Sequence, residues 1–153
     1  MENPKSFSLK MTKVGEPLEV VEKMDITQEV FGRQLKDDEV LIQYMASPIN
    51  PSDFLYCRGL YSEVTELPAS LGFEGVAKII KVGPSVKNFQ VNDWVLVKEL
   101  FGGSWSTHAI KSQSSLFKVD NSLDVFAAAQ LMINPPTAYR MMKDFVDLKA
   151  GMF

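Results

Sequence analysis

From residue 39 to residue 110 the chain is a succession of short runs rich in apolar and β-branched residues, each closed by proline or glycine. That texture calls for a mainly β fold, because such side chains suit a pleated surface while Pro and Gly interrupt it at turns. Residues 39–46 end at Ser47-Pro48 and residues 73–82 at Gly83-Pro84, and residues 93–97 and 105–110 are separated by Gly102-Gly103. Upstream, residues 7–14 and 18–24 flank Gly15-Glu16-Pro17, a turn signal that predicts a hairpin.

Helices are predicted in two regions. Asn50 before Pro51 reads as a cap followed by the first helical position, and Gly59 ends that helix and releases the loop carrying Tyr61. Past Asn121 the texture changes: Ser122 can cap a helix through Asp124 to about residue 132, and Asn134-Pro135-Pro136 breaks it and starts another. Tyr139, Met142, Phe145 and Val146 then recur at helical spacing, which predicts a buried stripe, with Gly151 as the stop.

A length of 153 residues with 46% hydrophobic content suits one domain with a real core and is too short for a catalytic domain plus a nucleotide-binding one. Charged residues at 23% and a net charge of -3 argue against disorder and against a nucleic-acid partner. Residues 1–76 carry a net -6 and residues 77–153 a net +3, so an acidic carrier protein or a coenzyme phosphate would prefer the second half. Cys57 is the single cysteine, which excludes an intramolecular disulfide and a thiolate cluster. No apolar run approaches the ~20 residues of a membrane span. The start, MENPKSFSLK, lacks the Arg-rich, acid-poor character of a mitochondrial transit peptide.

Three motifs carry a family resemblance. They are Ile49-Asn50-Pro51-Ser52-Asp53 followed by Gly59-Leu60-Tyr61; Gly72-Phe73-Glu74-Gly75-Val76 leading to Val82-Gly83; and Asn134-Pro135-Pro136-Thr137-Ala138-Tyr139-Arg140 with Asp144-Phe145, the most specific of the three. Together they resemble the zinc-independent medium-chain dehydrogenase/reductases, and within them the mitochondrial trans-2-enoyl thioester reductases, NADPH-dependent enzymes that saturate enoyl chains on acyl carrier protein or coenzyme A. Zinc members place Cys where Asn50 stands and Gly-His-Glu where Gly72-Phe73-Glu74 stands. Asn and Phe do not hold that metal, and the interval used elsewhere for a four-cysteine lobe has no cysteine, so no zinc is expected.

The resemblance implies a GroES-like, partly open β-barrel, mostly antiparallel with a few helices, forming one catalytic domain over residues 1–153. It implies a mitochondrial location, although a transit peptide is not visible; the alternative expectation is cytoplasmic. It also assigns residues. Tyr61 matches the proposed proton donor or hydrogen-bond donor to the enolate oxygen, whereas spacing alone makes it a packing or surface residue. Thr137 matches a threonine lining the nicotinamide site, with a helix cap as the rival explanation, and Asn50 belongs to the same cofactor side, with a turn cap as its plain reading. Phe73 reads as a core aromatic, and Asp53 and Glu74 are expected to bond backbone rather than act as acid and base. His108, the lone histidine, is expected to be exposed or hydrogen-bonded, Cys57 packed, and Trp94 and Trp105 strand residues of the core.

The family continues past Leu-Lys-x-Gly-Asp into a strand and a glycine turn whose helix takes the cofactor pyrophosphate. Here the sequence reads Leu148-Lys149-Ala150-Gly151-Met152-Phe153, and no such turn occurs upstream. The expectation is a chain lacking the Rossmann domain, inactive alone and without tight NADPH binding. Two alternatives stand beside the enoyl thioester reductase. One is a non-catalytic subunit whose surface facing the nucleotide-binding domain is covered by a protein partner; the other is a zinc-independent quinone or alkenal oxidoreductase.

Overall fold

The structure, a computed structural model, describes residues 4–64 and 66–151. A small antiparallel sheet contains β1 (Phe7–Met11), β2 (Val21–Asp25) and β4 (Ala69–Ser70), in the order β2-β1-β4. A larger antiparallel sheet contains β3 (Glu39–Ala46), β5 (Val76–Val82), β6 (Trp94–Val97), β7 (His108–Ser112) and β8 (Leu116–Val119), in the order β7-β3-β5-β6-β8. The mainly β expectation holds, and the predicted hairpin forms with Phe7 opposite Asp25 and Met11 opposite Val21.

The large sheet is buried on both faces because its strands alternate. Val40, Ile42, Ala77, Ile79, Val95 and Val97 point to one side and make a single cluster with Leu116. On the other side Leu41 packs with Ile26 and Val30, from the segment of α2 (Thr27–Phe31), and Val76 and Leu96 pack with Ala128 and Ala129 of α4 (Val125–Ala129). Each fully buried aliphatic side chain of this kind contributes about 1.5–3 kcal/mol. A fourth cluster, which includes Met11, Val20, Tyr56, Cys57, Leu71 and Phe73, brings together the small sheet and α3 (Pro51–Cys57).

Several boundaries differ from the sequence reading. Residues 18–20 are not strand: Pro17, with φ preset for a helix, opens α1 (Pro17–Val20), and Val21 donates its N–H to Pro17 O before β2 begins. The run at 105–110 is divided between sheets. Leu9 N–H bonds Trp105 O and Thr107 N–H bonds Phe7 O, both at 2.8 Å, so this stretch stitches β1 to the large sheet before β7 starts at His108. The cap of α4 is Asp124, not Ser122; its Oδ1 accepts the Phe126 and Ala127 amides at 3.0 Å. The elements α2, β4 and β8 carry too few residues for periodicity to have marked them.

The largest departure is α5 (Asn134–Asp144). Tyr139, Met142, Phe145 and Val146 are all exposed, Phe145 by 78%, and no residue of this helix is buried. Spacing shows which side chains share a face; it does not show that something covers the face, and among the described residues nothing does. Backbone contact fixes two glycines. Gly72 has φ +91°, and a Cβ there would lie 2.6 Å from Trp105 N; a Cβ on Gly83 would lie 2.2 Å from Lys36 O.

Candidate functional site

The start of α3 is built as its sequence suggests. Asn50 occupies the cap position, Pro51 the first helical one, and Asp53 Oδ2 accepts the Asn50 N–H at 2.7 Å, the returning half of a capping box. Asp53 Oδ1 is sealed from solvent without a hydrogen-bond partner. Burial pushes this carboxyl above the ordinary carboxylate range, the Asn50 and Phe73 amides pull it back, and the Glu74 carboxylate adds to the rise.

The Asn50 side chain reaches outward from that corner. Its Nδ2 donates to Glu74 Oε1 at 2.9 Å and its Oδ1 accepts from Asn134 Nδ2 at 2.8 Å. Glu74, only 2% exposed, uses its second oxygen to accept the N–H groups of Met132, at 3.2 Å, and Ile133, at 3.0 Å. Those amides lie at the start of α5, where N–H groups lack helical partners and a carboxylate is favoured by the helix dipole. Glu74 therefore bonds backbone, as expected, and also joins the α3 corner to α5. Its own carbonyl is held by the hydroxyls of Ser47 and Ser104 at 2.7 and 2.6 Å.

Phe73 is a core aromatic, as its plain reading said. Its ring meets Phe101 at 4.7 Å, Tyr56 at 5.7 Å and Tyr61 at 5.3 Å between centroids. Tyr61 is 46% exposed, so one part of its ring rests on Phe73 while the remainder is open. Thr137 is exposed at the fourth position of α5, its N–H bonded to Ile133 O, and the cap position belongs to Ile133. The helix-cap explanation of Thr137 is thereby corrected. Tyr61, Phe73, Glu74, Asn50 and Asn134 form one continuous chain of contacts, with Thr137 one turn further along α5. Sequence reasoning did not single out Asn134 as a site residue, and only its place in the Asn-Pro-Pro step could have drawn notice.

Two ligand classes can be tested against these side chains. A metal would find an Asn50 amide committed at both ends and a hydrocarbon ring at Phe73, and no group of three or more His, Cys, Asp or Glu side chains gathers among the described residues. A nicotinamide ring could find one wall at Tyr61 and Thr137. A pyrophosphate could not use the start of α5, because Glu74 already holds the amides there. An apolar cavity of about 460 Å³, walled by Met45, Ile49 and Trp105 among others, opens beside the same loop without including Tyr61, Asn50 or Thr137.

The remaining candidates are structural. Cys57 is buried, its thiol pushed up by burial and then by Asp53. Trp94 lies in β6, and Trp105 packs on the Met11–Phe73 cluster while donating from Nε1 to Pro48 O at 3.2 Å. His108 is hydrogen-bonded rather than exposed: Nδ1 lies 3.2 Å from Ser6 Oγ and 3.1 Å from Thr107 Oγ1, and its ring meets Phe31 edge-on at 5.1 Å. Burial holds its pKa below the ordinary histidine value. The unfolded chain therefore binds this proton first as pH falls, and stability drops from about pH 6.5 until the lowered folded value is passed. Urea midpoints between pH 7 and 5 should show that loss in the parent, and His108→Gln should flatten it. Equal slopes for the two proteins would remove His108 as its source.

A five-stranded antiparallel sheet beside a three-stranded one, with a helix capped at Asn50 leading into the stretch that carries Tyr61, defines the class. The family model of the alcohol dehydrogenase GroES-like domain matches residues 36–127, and the chain belongs to that family. Its relatives include enoyl thioester reductases of the medium-chain dehydrogenase/reductase superfamily. The enoyl-[acyl-carrier-protein] reductase, mitochondrial, of Caenorhabditis elegans is 44% identical over 114 residues, which are 74% of this chain and 33% of that protein. The structure of the Etr1p/NADP/crotonyl-CoA complex superposes with a TM-score of 0.89 at 29% identity, covering 96% of this chain and 45% of that one. A quinone oxidoreductase of Pseudomonas syringae superposes with a TM-score of 0.75 at 27% identity, covering 94% and 42%. The chain spans 32% to 41% of the length of such mitochondrial reductases.

Proposed function

We propose that the chain is the catalytic-domain portion of an NADPH-dependent trans-2-enoyl thioester reductase of fatty acid synthesis, acting in mitochondria on enoyl groups carried by coenzyme A or acyl carrier protein. The observation that carries this reading is the half-exposed Tyr61 seated on Phe73, beside the Asn50–Glu74 link that anchors the helix bearing Thr137. NADPH, when bound, supplies the hydride that reaches the β carbon of the enoyl group. The electron pair of the double bond then shifts toward the thioester carbonyl, whose own pair moves onto its oxygen, and the Tyr61 phenol is assigned to donate to that oxygen or to deliver a proton to the α carbon. Thr137 and Asn50 are assigned to the nicotinamide side. No step requires a metal.

Residues 1–153 alone are assigned no turnover; a nucleotide-binding half must be supplied. Purified together with such a half, the protein should consume NADPH when crotonyl-CoA is added and not when a quinone is added. Consumption with quinone alone would move the reading to the quinone or alkenal reductases. A second reading draws on the exposed apolar residues of α5, which suit a subunit whose partner covers them. Absence of turnover with both acceptors would favour it.

A further inference from the structure

We propose that Glu74 is a positioning residue: it fixes the direction in which α5 leaves the body and, through it, where Thr137 stands relative to Asn50 and Tyr61. The consequence for catalysis rests on the reductase reading, whereas the mechanical role does not. The argument begins with α5 itself. It has 11 residues and buries none of them, and its ion pair, Arg140 with Asp144, is internal. A helix without a packed face gains no orientation from ridges and grooves, so its direction is decided where it starts. At that start stand two amides on Glu74 Oε2 and the Asn134 to Asn50 bond.

The polarity of these bonds makes Glu74 the member that dictates the rest. An ionised carboxylate only accepts, so the Asn50 amide must turn its NH₂ toward Glu74 and its oxygen toward Asn134, which must in turn donate. The sense of the whole chain follows from one acceptor-only group. In Glu74→Gln the new NH₂ faces either the Asn50 NH₂ or the two backbone N–H groups as they now stand, and a donor opposes a donor in a buried place unless the Asn50 and Asn134 amides turn over together. Adding Asn50→Asp removes the conflict: the new carboxylate accepts from the glutamine side chain on one side and from Asn134 on the other. The pair of changes keeps size and net charge while moving the carboxylate by one residue along the chain of bonds.

The test uses the full 153-residue chain labelled with ¹⁵N and needs neither cofactor nor thioester. Residual dipolar couplings of the α5 amides are compared with those of β3 and β5, and hydrogen exchange is followed at Met132 and Ile133. Glu74→Gln should leave the sheet couplings in place, shrink the α5 couplings toward motional averages, and speed exchange at both amides by about tenfold, the loss expected for a hydrogen bond to a charged acceptor. Glu74→Gln with Asn50→Asp should restore both readouts. Parent-like α5 couplings in Glu74→Gln would overturn the proposal, as would a double variant no nearer the parent than the single one. Should Glu74→Gln not fold, the double variant decides: a native sheet spectrum with parent α5 couplings supports the assignment, and continued misfolding refutes it. A failed reductase assay leaves these outcomes untouched.

Discussion

Tyr61→Phe should lower turnover about a hundredfold in the protein that carries both halves, with KM for crotonyl thioester nearly unchanged, if the phenol acts on the enolate. A loss of this size corresponds to removing one oxyanion-hole donor, about 2.7 kcal/mol of barrier. The substitution suits the question because the ring that rests on Phe73 is kept and only the hydroxyl goes. Tyr61 is also 46% exposed, so little stability depends on that oxygen and a fall in rate reads as chemistry rather than as unfolding. The charge it meets develops only after hydride transfer, which is why kcat should fall while substrate binding holds. An unchanged rate would make Tyr61 a packing residue and take the proposed chemistry with it.

What the sequence disclosed about this site was local, and what it concealed was long-range. Asn50, Pro51 and Asp53 announce a helix start within four residues, and the structure places the capping geometry there. Strand β3 is equally legible because a run rich in apolar and β-branched residues ends at Ser47-Pro48. The Glu74 link was not legible in full: its partners lie 24, 58 and 59 residues away, and no spacing rule connects them. The splitting of residues 105–110 between two sheets escaped for the same reason, since alternation within a run does not tell which neighbour each half will meet. The exposed stripe on α5 marks the opposite limit. There the pattern was read correctly as one face, and burial did not follow, because burial depends on what lies opposite.

Residues 1–153 alone should give a flat calorimetric trace with NADPH up to millimolar concentration, and the cofactor absorbance should not decay when enoyl-CoA is added. Dinucleotide affinity in this superfamily's architecture comes mainly from a pyrophosphate seated on free amides at a helix N-terminus and from ribose contacts. Among the described residues the start of each α-helix already carries its own carboxylate. Glu19 and Glu29 lie in the first turns of α1 and α2, Asp53 lies in that of α3, Asp124 caps α4, and Glu74 holds the amides ahead of α5. A phosphate approaching any of them would meet a like charge where it needs donors, at sites whose N–H groups are partly spent. Tyr61 and Thr137 could offer the nicotinamide ring one wall, too little to order a large flexible dinucleotide against its loss of freedom. Submicromolar NADPH binding by the pure 153-residue chain would overturn this account, since it would require an anion site that the helix starts do not provide.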